Sequence, residues 1–156
     1  MAIDKVREYF CERGREADIL EFDTSSATVE MASEALGVDP SRIAKTLAFK
    51  SHEGAILIVA AGDTKIDNSK FKAEYGMKAK MLTPEEVLDY TGHAIGGVCP
   101  FGLIRSLPIY LDVSLRRFDY IYPACGSSNS AIKLTCSELE QYVKCAKWVD
   151  VCKGWL

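Results

Sequence analysis

Apolar and polar positions divide the chain into short segments of two different periods. Ile3, Val6 and Phe10 share one face of "AIDKVREYFCERG", and Gly14 follows as a stop, so a first helix is predicted from about Ala2 to Arg13. "ADILEF" predicts a short strand from Ala17 to Phe22. "DTSSATVEMASEALG" opens with capping side chains, places Val29, Ala32 and Leu36 at helical spacing and ends at Gly37, which predicts a second helix. Asp39 and Pro40 predict a one-turn helix with proline at its first position, where the missing N–H costs nothing. "KTLAFKS" and "AILIVAA" then flank His52-Glu53-Gly54, a β-hairpin that begins at Lys45. Its second strand is apolar throughout, so both of its faces are expected to be buried.

The remainder repeats the alternation. "DNSKFKAEYG" predicts a helix closed by Gly76, and "KAKML" a strand. Thr83, Pro84 and Glu86 form a capping-box pattern ahead of another helix, and Thr135 to Glu138 repeats that spacing before "SELEQYVKC". "LPIYLDVSL", "FDYIYPAC", "SAIKLT" and a last "KWVDV" read as strands. Strands and helices this irregularly interleaved do not fit a regular βαβ winding. The expected fold class is α+β: one domain over residues 1–156, with a mixed, curved, largely antiparallel sheet, partly open and barrel-like, flanked by short helices.

Composition sharpens this picture. With 48% hydrophobic and 26% charged residues in 156, the chain suits one ordinary core. No apolar run approaches a bilayer span and the N-terminus lacks a secretory pattern, so a cytoplasmic protein without membrane contact is expected. Six cysteines form no CxxC pair and read as free thiols. His52 and His93 have no ligand-spaced partners, so no metal is expected. A net charge of -3 argues against coating long stretches of nucleic acid. The bunching of Lys65, Lys70, Lys72, Lys78 and Lys80, with Arg116 and Arg117, leaves room for a short phosphate segment.

Candidate chemistry gathers at "GGVCPFG". Gly96, Gly97 and Gly102 lack Cβ atoms, which lets main-chain groups approach a ligand, and Pro100 restrains Cys99. Such a loop suits a developing oxyanion, although a plain tight turn accounts for the same residues. Cys99 would need a base or a cation to act as a nucleophile, so a packed thiol is its expected role. Lys45, at the head of an apolar strand, either snorkels to water or points its ammonium into a pocket mouth.

"IAKTLAFK", "LIVAAGDTKIDNSKFK", "TGHAIGGVCPFGL", "PIYLDVSL" and "YPACGSSNSAIKLT" occur in an order that resembles the YbaK/EbsC family. These are aminoacyl-tRNA editing domains related to the insertion domain of bacterial prolyl-tRNA synthetase, and the resemblance runs from about Ile19 to Leu139. It implies a trans-editing hydrolase of mischarged tRNA, with Ala- or Cys-tRNA(Pro) as expected substrates. It implies Lys45 at the substrate and a GxxxP loop of Gly96, Gly97, Val98, Cys99 and Pro100 offering main-chain groups. Water is the implied nucleophile, assisted by the terminal ribose hydroxyl, with no cofactor. Expected substrate contacts are Phe22, Thr46, Gly126, Ser127, Ser128 and Asn129, with Val29, Met31, Leu47 and Ile58 as further candidate walls. Some members place an acidic or histidine side chain where this chain has Ala131, so Ser127, Ser128 or Asn129 would have to supply any polar group there. The acceptor end of aminoacyl-tRNA is the implied partner, with prolyl-tRNA synthetase as a second. A noncatalytic module that binds an aminoacyl or nucleotide group is the alternative reading.

Overall fold

The computed structural model describes residues 2–155. Its helices are α1 (Ala2–Cys11), α2 (Val29–Leu36), α3 (Asn68–Tyr75), α4 (Pro84–Thr91) and α5 (Cys136–Val143). Its strands are β1 (Ile19–Glu21), β2 (Ile43–Ser51), β3 (Gly54–Ala61), β4 (Lys65–Ile66), β5 (Ile109–Asp112), β6 (Tyr122–Pro123), β7 (Ser130–Ile132), β8 (Lys147–Val149) and β9 (Cys152–Lys153). The architecture is a mixed α+β domain built on a curled, half-barrel sheet.

Local chemistry sets the helix ends. Thr28 and Asp67 accept main-chain N–H groups at the starts of α2 and α3, and Thr83 and Thr135 complete capping boxes with Glu86 and Glu138. Helices α2, α3 and α4 close on glycines, whereas α5 closes on Lys144 at φ 51°, a left-handed position without glycine.

The principal sheet runs β6-β2-β3-β5-β8. Only the β2–β3 hairpin within it is antiparallel, and at eight residue pairs it is the longest ladder; β2–β6, β3–β5 and β5–β8 are short and parallel. The hairpin thus carries the antiparallel character, while the connections between distant segments are parallel. Antiparallel bridges between Ala124 and Ala131 and between Ile121 and Leu134 attach the β1–β7 pair beside β6. β3 lies at the centre with both faces covered. Leu57 and Val59 join one cluster with Val6, Phe10, Phe101, Leu111 and Leu139, while Ile56 and Ile58 join another with Phe49, Phe71 and Val151.

Several predicted segments are shorter than their patterns suggest. The first helix ends at Cys11 instead of Arg13, and a 3-10 turn over Glu16–Asp18 replaces the start of the strand expected from Ala17. "LPIYLDVSL" stops being a strand at Asp112, whose carboxylate accepts the Ser114 N–H at 3.0 Å and starts a 3-10 turn over Val113–Arg117. The same buried carboxylate accepts the Val151 N–H at 3.0 Å, which ties the chain's C-terminal segment to β5. In "FDYIYPAC" only Tyr122 and Pro123 form a strand, since proline offers no N–H to continue the ladder. "KAKML" reduces to one bridge between Met81 and Phe49, and "KWVDV" is followed by β9.

Leu57 is fully buried at the sheet centre. Leu57→Ala should lower unfolding stability by about 2–5 kcal/mol, measured by urea denaturation.

Candidate active site

An interruption along one edge of β2 creates the site. β6 pairs with that edge as far as Ala44. Further along, Lys50 donates its main-chain N–H to the Lys80 carbonyl at 2.8 Å and Ala48 accepts from the Leu82 N–H at 3.0 Å. Main-chain groups alternate from edge to edge with a two-residue period, so Thr46, like Ala48 and Lys50, directs its N–H and C=O away from β3. The two partners stop at Ala44 and at Ala48, and the edge groups of Thr46 face the space between them.

A cavity of about 280 Å³ fills that space. Lys45, Thr46 and Leu47 form its floor, Tyr122, Ala124, Ser130 and Ala131 one flank, and Met81 a part of the rim. The segment entering α2 contributes Ser26, Ala27, Thr28, Val29 and Ala32, and the glycine-rich loop contributes Ile95, Gly96 and Val98. Five buried side-chain polar atoms have no hydrogen-bond partner among the described residues, and two of these, Ser26 Oγ and Thr46 Oγ1, belong to cavity residues. Buried hydroxyls are ordinarily paired, so these two are local polar costs in residues that border the hollow.

The Lys45 ammonium donates to the Thr64 carbonyl, which takes one of its three N–H donors. Burial, opposed by the negative charge of Asp63 and Glu30, holds its pKa below the ordinary lysine value. Asp63 itself is held by Arg117 through two hydrogen bonds of 2.6 and 2.9 Å, and that contact lowers its carboxyl pKa.

The loop around Gly96 is fixed by close main-chain packing. Gly96 has φ +97°, a conformation that side chains resist, and a Cβ there would lie 3.2 Å from Ala27 Cβ. At Gly97 a Cβ would fall 2.8 Å from the Ser127 nitrogen, so the loop rests directly on the Gly126–Ser127 turn. Both segments also meet α1: a Cβ at Gly102 would touch the main chain of Lys5 at 3.0 Å, and one at Gly126 would meet Val6 Cγ2 at 2.9 Å.

Cys99 turns away from the cavity into the core. Its thiol is fully buried, 3.5 Å from His93 Nε2 and 3.6 Å from the Phe101 carbonyl, and burial pushes its pKa up to about 12. His93 is buried as well, with Nε2 bonded to the Phe101 carbonyl at 2.7 Å and its pKa lowered by desolvation. A neutral imidazole beside a protonated thiol does not make an activated nucleophile.

Of the residues singled out from sequence, Lys45, Thr46, Val29, Leu47, Gly96, Val98 and Ala131 therefore line one hollow. Gly97, Cys99 and Pro100 support it from behind. Phe22, Gly126, Ser127, Ser128 and Asn129 lie outside the lining and act as a brace. Asn129 and Phe22 exchange two bonds, its carbonyl accepting the Phe22 N–H at 2.8 Å and its Nδ2 donating to the Phe22 carbonyl at 3.0 Å. The Ser128 carbonyl accepts the Ser26 N–H at 2.6 Å. The Ser127 hydroxyl donates to Asn129 Oδ1 at 2.9 Å and accepts from the Ser130 hydroxyl at 2.7 Å. Ile58 is core and Met31 faces solvent. None of the expected basic cluster lines the cavity; Lys70 pairs with Asp150, Arg117 with Asp63, and Arg116 stacks over Trp148. Sequence reasoning missed Ser26, Thr28, Met81, Ile95, Tyr122 and Ser130. The run "TSSAT" carried a signal for the first two, having more hydroxyls than one helix cap uses. Among the described residues no three His, Cys, Asp or Glu side chains gather as a metal site, and no helix is long and apolar enough to cross a membrane.

The model of the aminoacyl-tRNA editing domain family matches residues 23–142, a span that contains every element of this cavity. The chain belongs to the aminoacyl-tRNA editing domain family. This editing domain is 56% identical over 156 residues to the uncharacterised Bacillus subtilis protein YwhH, covering 99% of each chain. It is 29% identical over 109 residues to an Enterococcus faecalis protein named "Putative Cys-tRNA(Pro)/Cys-tRNA(Cys) deacylase EbsC", covering 69% of this chain and 66% of that one. A region of the proline–tRNA ligase of Thermotoga maritima is 36% identical over 98 residues, which is 62% of this chain and 17% of the ligase. In three dimensions the editing domain matches the crystal structure of "a putative trans-editing enzyme for prolyl tRNA synthetase", with TM-score 0.88, 30% identity and 98% of both chains covered.

Alkylation tests the burial of the thiols. In mildly alkaline buffer iodoacetamide should modify exposed Cys11 first, whereas Cys99, Cys125 and Cys152 should react only on unfolding, followed by mass spectrometry.

Proposed function

We propose that this editing domain is a trans-editing hydrolase that cleaves the ester of a mischarged aminoacyl-tRNA, with Ala-tRNA(Pro) or Cys-tRNA(Pro) as substrate. The observation that carries the reading is the convergence of Lys45, the open edge of Thr46 and the Gly96 loop on one small cavity, with the neighbouring thiol sealed away from it. Alanines at positions 32, 44, 124 and 131 line the hollow.

In this mechanism main-chain groups of Gly96, Val98 and Thr46 hold the carbonyl and stabilise negative charge as it develops on the oxygen. The Lys45 ammonium, with two donors not taken by Thr64, attracts the polarised or anionic groups beside the ester. A water oxygen bonds to the carbonyl carbon, and the bond from that carbon to the ribose oxygen breaks. One water proton passes to the departing ribose oxygen and the other to solvent, leaving a free amino acid and an uncharged tRNA. The adjacent ribose hydroxyl of the tRNA assists the transfer, so no protein nucleophile takes part. Editing of this kind answers a physical limit, because one methylene distinguishes substrates by only about 1–3 kcal/mol in a synthetase pocket. The similarity to part of a proline–tRNA ligase and to a trans-editing enzyme supports tRNA(Pro) as the carrier and the synthetase as a partner.

Deacylation assays on Ala-tRNA(Pro) and Cys-tRNA(Pro) test this. Amino acid should be released, and Lys45→Ala or Gly96→Val should slow release about 100-fold or more, the scale of a lost oxyanion contact, whereas Cys99→Ala should keep most of it. Survival of every mischarged tRNA in a panel would favour a noncatalytic binding module. The pH profile supplies a second check. Because burial lowers the Lys45 pKa, its ammonium loses its proton below the ordinary lysine range. The rate, corrected for spontaneous ester hydrolysis, should accordingly fall on the alkaline side below a pH of about 10.4.

A further inference from the structure

Met81 and Ile95 are large apolar side chains left 56% and 61% exposed, and both line the cavity that holds Lys45 and Gly96. Single apolar residues in water are ordinary, but these two border the same mostly apolar hollow and extend its apolar lining outward to the surface. They come from separate segments. Met81 belongs to the strip that bridges to Phe49 on the β2 edge, and Ile95 precedes Gly96 in the glycine-rich loop. Each is therefore anchored by the same main-chain contacts that delimit the site.

The chemistry of the substrate says what reaches this rim. If the ester carbonyl lies between the Thr46 edge and the Gly96 loop, the ribose that carries it lies at the mouth, and the base on that ribose extends past the rim. Every tRNA ends in adenosine, whose purine ring is flat, polarizable and poorly hydrated on its faces. A methionine thioether and an isoleucine side chain suit such a face: sulfur makes favourable contacts with aromatic rings, and the aliphatic groups are dehydrated on contact. Resting on the deacylase reading above, we infer that Met81 and Ile95 form the subsite for the terminal adenine of the tRNA and position the ester by holding its base. The subsite reads the end common to all tRNAs, which leaves choice of amino acid to the walls deeper in the cavity.

Two small esters test the inference: alanine esterified to adenosine, and alanine esterified to methyl riboside, which keeps the ribose hydroxyls and lacks the base. The parent protein should prefer the adenosine ester. In the double variant Met81→Ser, Ile95→Ser, with folding checked by its melting curve, the preference in kcat/KM should shrink roughly tenfold, the order expected for lost apolar contact, and the change should sit in KM. An unchanged preference, or equal losses on both esters, would overturn the subsite. If the parent hydrolyses neither ester nor any mischarged tRNA, the deacylase reading fails and the subsite is decided by binding. Adenosine monophosphate titrated into protein with labelled Met and Ile methyl groups should then shift the Met81 and Ile95 resonances in parent protein, and unmoved resonances would overturn the subsite.

Discussion

The site depends on an edge of β2 that is left open for a short stretch. A strand in the body of a sheet normally has its main-chain groups paired on both sides, and an open edge inside a fold is costly. Here β6 stops at Ala44 and the strip at Met81 begins at Ala48, because a proline ends one partner and a single bridge is all the other makes. The opposite edge of β2 is fully engaged with β3, and β3 is buried on both faces, so the opening is backed by the longest ladder of the sheet. Main-chain groups at the opening take their positions from that support.

The hollow also collects local costs. Ser26 and Thr46 bury hydroxyls without partners, Lys45 keeps an ammonium in a partly desolvated place, and Gly96 adopts a backbone conformation few residues share. Any one of these is tolerable in a stable domain. Their coincidence around one space marks a region where local consistency gives way, as it commonly does at functional sites.

Much of the fold was legible in the chain because its determinants are local. The capping boxes at Thr83 and Thr135, the stops at Gly37, Gly76 and Gly92, and the apolar run of β3 each act within a few residues, and each is realised. Features set by distant partners were not legible. The parallel ladders of β5, β6 and β8, and the reduction of Lys78 to Leu82 to one bridge, follow from pairing with remote strands that no local pattern records. For the site, Lys45 and Gly96 stand out as an unusual lysine and an unusual glycine. Ser127, Ser128 and Asn129 have the composition of a polar binding turn, yet their hydrogen bonds are spent on Phe22, Ser26 and Ser130. Composition reveals that a turn has polar groups, but only the fold shows where they are directed.

Helix α1 lies outside the hollow, yet its first turns press against glycines in both of the loops that frame it, at Gly102 and Gly126. Backbone lying on backbone leaves no slack to absorb a shift, so the two loops share a common abutment. A displacement of this helix would therefore move both loops that frame the hollow, although the helix supplies none of the lining.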